Sequence, residues 1–177
     1  MSQWRSTTIL AVRRDGRLAV AGDGQVTLNN TVVKQNARKV RRIYHDRIIV
    51  GFAGATADAL NLSERLEGKL ERFNGSLMRA AVELAREWRS DKYLRRLEAL
   101  MIAADKEKML LISGSGDVIE PDDAVLAIGS GAVAAQAAAE ALLRNSRLDA
   151  RAVVEAAMEI AAGICVFTNA NVSIEEM

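Results

Sequence analysis

The sequence predicts an α+β protein, a four-layer αββα sandwich in which two antiparallel sheets lie face to face and a helix pair covers each outer face. Three observations lead there. Short apolar runs separated by turn signals fill the first third of the chain, two helical stretches follow, and the same order of strands then helices repeats in the second half. A doubly wound parallel sheet would need strand and helix to alternate one by one, which this order does not do. The length, 177 residues, fits one domain, since a single core of that size buries most of the surface its unfolded chain exposes.

Each element has its own signal. Thr7 to Val12 reads as the first strand, closed by Asp15-Gly16, a pair suited to a tight hairpin turn. Leu18 to Ala21, Thr31 to Val33, Val40 to Tyr44 and Ile48 to Ala53 continue the array, with His45-Asp46 as the turn between the last two. In the first strand, Thr7, Ile9 and Ala11 share one side and Thr8, Leu10 and Val12 the other. Both sides are largely apolar, as a sheet covered on both faces requires. Thr56 to Phe73 sets Ala59, Leu62, Leu66, Leu70 and Phe73 at helical spacing, and Ser76 to Arg89 does the same with Leu77, Ala80, Ala81, Leu84 and Trp88; Asn74-Gly75 is the break between them. Ala99 to Ala104, Met109 to Ser113, Val118-Ile119 and Ala124 to Ile128 form the second strand set. Ala132 to Leu143 and Ala150 to Ala162 are the closing helices, the latter with Asp149 as its N-cap.

Composition excludes several functions. Lys and Arg total 24 against 23 Asp and Glu, so no charge excess is available to grip nucleic acid or acidic lipid without sequence preference. The basic run Arg38 to Arg42 lacks flanking aromatics and reads as a solvated strand face or a subunit contact. One cysteine, Cys165, forbids an intrachain disulfide and suits a reducing, cytoplasmic setting; it reads as a buried small hydrophobe. One histidine, His45, leaves no His-rich metal site, and as a turn residue it cannot complete a Ser-His-Asp triad. No apolar run approaches the roughly 20 residues that span a bilayer.

Two phosphate-binding patterns bear on the function. No G-x-x-x-x-G-K-[ST] occurs. Gly129-Ser130-Gly131-Ala132-Val133-Ala134 follows a strand and opens a helix in the manner of a dinucleotide-binding turn, but the acidic residue about 20 positions on, Asp149, begins a helix rather than ending a second strand. A nucleotide-binding module therefore ranks low. The local chemistry survives: Ser130 stands at a helix start, where backbone N-H groups can hold a carbonyl, a water or an anion.

A chain almost without histidine can still perform nucleophilic catalysis with an N-terminal threonine, whose own α-amine serves as the base. That amine titrates near 7.7 to 8.0 as a reference, about two and a half units below lysine, and a nearby lysine pushes it lower. The amine must be free. A leader over residues 1–6, ahead of a single domain over residues 7–177, fits a site that stays blocked until cleavage before Thr7; loss of Met1 alone, leaving Ser2 as the terminal nucleophile, is the alternative.

The stretches TTILAVRRDG, AGDGQVTL, NTVVKQNARKVRRIY, GFAGATADA, LERFNG, LAIGSGA and GICVFTNANVSIEE, in this order and spacing from Thr7 to the C-terminus, resemble the HslV (ClpQ) family, the peptidase subunits of a bacterial ATP-dependent protease and relatives of proteasome β-subunits. The resemblance implies the αββα N-terminal-nucleophile hydrolase fold, two stacked hexameric rings, unfolded protein substrates, and an AAA+ ATPase partner, HslU, which alone uses ATP. It implies Thr7 as nucleophile, Lys39 as the charge that lowers the amine's pKa, and Asp23 as the carboxylate that positions the lysine. Gly54 would supply an oxyanion-hole N-H, and Ser130 would hydrogen-bond near the amine and its water. It implies no organic cofactor, but a monovalent cation such as Na+ on the main-chain carbonyls of Ala162, Cys165 and Thr168, with Ala162 where the family usually has glycine. Read without the family, that last segment is a helix end capped by Gly163. A ring subunit that keeps the fold but is catalytically silent is the remaining alternative.

Overall fold

The computed structural model describes residues 7–54, 56–94 and 99–177, so the leader expected over residues 1–6 lies outside the described residues. The first hairpin forms as its sequence dictates. β1 (Thr8–Arg14) and β2 (Arg17–Asp23) meet at Asp15 and Gly16, whose φ angles of 52° and 76° are those of a turn that matches strand twist. β1 becomes a central strand, because β10 (Val125–Gly129) pairs antiparallel with its other edge and sets Thr8 opposite Gly129. β11 (Val172–Glu176) pairs with β2 and completes a sheet of order β10-β1-β2-β11.

The second sheet runs β5 (Val40–Ile43), β6 (Ile48–Ala53), β7 (Leu100–Ala104), β8 (Met109–Ser113) and β9 (Val118–Ile119), each antiparallel to its neighbour. Tyr44, His45 and Asp46 form the β5–β6 turn with three successive positive φ angles. A small hairpin of β3 (Val26–Leu28) and β4 (Thr31–Lys34) stands beside the two sheets.

Period-two alternation on β1 sorts its side chains between two cores. Ile9 and Ala11 enter the layer between the sheets with Val20, Ile49, Ile102 and Ile128. Leu10 and Val12 face the other way, onto α3 (Ala132–Asn145) and α4 (Ala150–Ile164), where Val153, Val154, Ala157 and Met158 meet them. The opposite outer layer is α1 (Thr56–Arg72) and α2 (Leu77–Ser90) against the five-stranded sheet. Trp88 is fully buried there, stacked on Phe52, and its indole N-H donates to the Leu94 carbonyl at 3.1 Å. The expected αββα layering is the one observed.

Three details differ from the sequence reading. β3 and β11 are additional strands, and α4 continues to Ile164, so Gly163 lies inside the helix and the cap is Cys165 in an extended conformation. Cys165 is half-exposed rather than buried, because a helix terminus at the protein surface carries it. Asp149 does cap α4, accepting from the Ala152 N-H at 2.8 Å.

Candidate active site

Thr7 stands one residue ahead of β1, at the end where that strand meets Gly129 and Ser130, and it lines a cleft of about 780 Å³ with Lys39, Gly54, Gly129 and Ser130. Its main chain is held from the β10–α3 turn: the Ser130 N-H donates to the Thr7 carbonyl at 2.9 Å. Only glycine allows this approach. Gly129 has φ of +98°, and a Cβ there would lie 1.8 Å from the Thr7 oxygen. The turn's N-H groups thus serve the fold: Ser130 holds Thr7, and the Gly131 N-H donates to the Thr8 hydroxyl at 3.0 Å. The dinucleotide reading fails on the same evidence, since β10 is antiparallel to its neighbour. The Ser130 hydroxyl reaches the Thr7 carbonyl only at 3.4 Å, so the backbone contact is the firmer one.

Asp23, at the end of β2 and fully buried, organises the next layer. Its Oδ1 accepts from the Thr8 N-H at 2.7 Å and from the Lys39 ammonium at 2.8 Å, and its Oδ2 accepts from the Gln25 N-H at 2.9 Å. Lys39 stands just before β5 with its side chain 9 % exposed, and its ammonium also donates to the Gln25 carbonyl at 2.5 Å. Burial pushes its pKa below the ordinary lysine value, with the Asp23 carboxylate opposing. Its neighbours differ: Arg38 and Arg42 pair with Glu175, and Arg41 lines the cleft. The structure therefore brings Thr7, Asp23, Lys39, Gly54 and Ser130 to one end of the sandwich.

Thr8 ties this centre to the chain's C-terminal part, sharing a hydrogen bond of 2.7 Å with the Thr168 hydroxyl, which is 4 % exposed. Thr168 lies in the turn after α4, and its N-H donates to the Cys165 carbonyl at 3.0 Å. Ala162 sits in the last turn of that helix. His45 is remote from the cleft lining, near Glu71 at 3.4 Å. Sequence reading missed Thr8, next to Thr7, and Gln25, two positions after Asp23; only their tertiary hydrogen bonds distinguish them.

At one end of the αββα sandwich a strand-start threonine, a buried lysine–carboxylate pair and a cleft lined by Gly54 and Gly129 come together, on a fold shared with N-terminal-nucleophile hydrolases. Comparison with known proteins narrows it. The family model for proteasome subunits matches residues 4–177. The chain is 61% identical over 173 residues to the ATP-dependent protease subunit HslV of Aquifex aeolicus, covering 98% of both chains. It is 62% identical over 177 residues to the HslV subunit of a Sulfurihydrogenibium species, covering 100% of this chain and 99% of that one. The crystal structure of HslV from Trypanosoma brucei superposes with a TM-score of 0.91 at 48% identity, covering 96% of this chain and 98% of the other. The chain belongs to the proteasome-subunit family, in its HslV branch, and is a protease subunit.

Proposed function

We propose that this chain is the threonine-type peptidase subunit of an ATP-dependent protease, with Thr7 as the nucleophile once its amine is released. The observation that carries the reading is the Lys39–Asp23 pair buried beside the cleft that Thr7 lines. The Thr7 hydroxyl attacks the scissile carbonyl, its proton passes to the α-amine, and the amine returns the proton to the leaving nitrogen. The acyl-ester left on the hydroxyl is then hydrolysed by water. Lys39, held charged by Asp23, disfavours the protonated amine and so keeps it a base near neutrality. Gly54, on the cleft wall, offers a backbone N-H to the developing oxyanion.

The same reading makes the assembly two stacked hexameric rings that enclose the cleft, fed with unfolded protein by the AAA+ ATPase HslU; this chain itself binds neither ATP nor an organic cofactor. The names of the relatives support the ATP-dependent partnership. A Na+ ion would be held by the carbonyls of Ala162, Cys165 and Thr168. The donor set suits it: these oxygens lie at and beyond the C-terminal end of α4, where the helix carries partial negative charge, and the Cys165 carbonyl, which already accepts from the Thr168 N-H, keeps a second lone pair. Thr7→Ala should abolish cleavage of a fluorogenic peptide while rings still form; unchanged cleavage would favour the silent-subunit reading. Degradation of an unfolded protein should rise sharply when the ATPase and ATP are added together.

A further inference from the structure

We propose that Gln25 is a positioning residue for Lys39, a molecular strut that fixes the lysine's second acceptor against the turn following α4. This rests on the reading of Lys39 given above. Gln25 is 7 % exposed and is held through its main chain and its side-chain nitrogen. Its carbonyl accepts from the Lys39 ammonium at 2.5 Å, and its N-H donates to Asp23 Oδ2 at 2.9 Å. The side-chain amide, a two-proton donor, is fully used: Nε2 donates to the Thr27 hydroxyl and to the Val166 carbonyl, both at 3.0 Å.

The consequence is geometric. An ammonium is a compact charge on a flexible four-carbon stem, so its place is set by what accepts its protons. Asp23 is one acceptor seen here, held at the end of β2; the other is a main-chain oxygen in the segment between β2 and β3, which needs an anchor of its own. The Gln25 amide supplies that anchor by reaching across 141 positions of sequence to Val166. The same C-terminal segment steadies the approach to Lys39 from its other side. Asn169 accepts from the Gly24 N-H at 3.1 Å, and the amide groups of Asn169 and Asn171 both donate to the Gln35 carbonyl, at 2.9 and 3.0 Å. Residues 166–171 therefore brace both chain segments that meet at the lysine. Gln25 itself does not line the cleft, although Val26 and Thr27 do, so a strut acting through Lys39 shows in kcat and one acting through Thr27 shows in KM.

Gln25→Met keeps the side-chain length and removes both donors; Gln25→Glu keeps the shape and places a carboxylate against the Val166 carbonyl. In the assembled protein, mass photometry of each variant should give the wild-type particle, and steady-state cleavage of a fluorogenic peptide should show kcat reduced about tenfold with KM unchanged, the size of a misplaced catalytic group. A wild-type kcat in assembled Gln25→Met, or a change confined to KM, overturns the proposal. Failure of both variants to assemble also overturns it, since Gln25 would then determine the fold instead of the lysine's position. Lys39→Ala, measured alongside, keeps the two readings apart: loss of turnover there with none in Gln25→Met removes the strut alone, whereas full turnover in Lys39→Ala removes the site reading beneath it.

Discussion

Asp23 has no exposed surface, yet it holds a lysine ammonium and two backbone N-H groups. Removing one partner of a buried ion pair leaves the other charge uncompensated, at a typical cost of about 3 to 5 kcal/mol. Asp23→Asn and Lys39→Met should therefore each abolish peptide cleavage and lower the urea midpoint clearly, since either change strands the partner's charge in a buried site. A loss in the double variant equal to the sum of the two single losses, read from urea unfolding, would mean that the pair is not acting as a charge pair. The pH dependence follows from the direction of the lysine's shift. Burial lowers the Lys39 pKa, so its charge is lost before pH reaches the ordinary lysine value of 10.5. Activity should rise as the terminal amine loses its proton and fall again at alkaline pH below that value. Gly129 gives a steric test at the same scale. Gly129→Ala would drive a methyl into the Thr7 carbonyl, so it should destroy cleavage even though no reacting group has changed.

Among the elements, α1 and α2 share an apolar core and are also tied by a glutamate. Glu87 pairs with both Lys69 and Arg65 of α1, and these contacts, the Lys69 hydrogen bond first among them, hold its carboxyl below the usual value of 4.5. A depressed carboxylate contributes stability that is present above 4.5 and is lost as pH falls through its lower folded value. Glu87→Gln should thus destabilise the protein at pH 7, with the difference from wild type closing as both are taken to strongly acidic pH; a gap in the urea midpoint that persists there would contradict the ion-pair account. Beneath the pair, Trp88→Ala should cost about 3 to 5 kcal/mol, because the indole is fully buried and its N-H is bonded.

Most elements were legible because each carries a local signal, such as the alternation of β1 with its Asp-Gly turn or the helical spacing of Leu77, Ala81, Leu84 and Trp88. β3 escaped because three residues are too few to establish a period. β11 escaped because its Val-Ser-Ile-Glu-Glu alternation is brief and gains a partner only through β2, some 150 positions earlier. The site shows the same limit. Lys39 is one of four basic residues between positions 38 and 42, and nothing local separates it from Arg38, Arg41 or Arg42. Family resemblance selected it, and the fold gives the physical reason: Lys39 is turned inward onto Asp23 while Arg38 and Arg42 reach Glu175.

Across the whole molecule, the site exists because β1 lies in the middle of its sheet. Its neighbours β2 and β10 deliver Asp23 on one side and Gly129-Ser130 on the other, and β6 of the facing sheet leads into Gly54. No single segment contains the site, and only the packed sandwich closes it. The account stands on a free main-chain amine at Thr7 acting on the hydroxyl of the same residue. Mass spectrometry of the purified, active protein after reaction with a peptide aldehyde or epoxyketone tests this directly. The expected result is a mature chain beginning at Thr7 with the inhibitor bonded to that residue and turnover lost in proportion to labelling. A fully active chain whose Thr7 amine remains joined to Ser6, or an adduct on another residue, would contradict it.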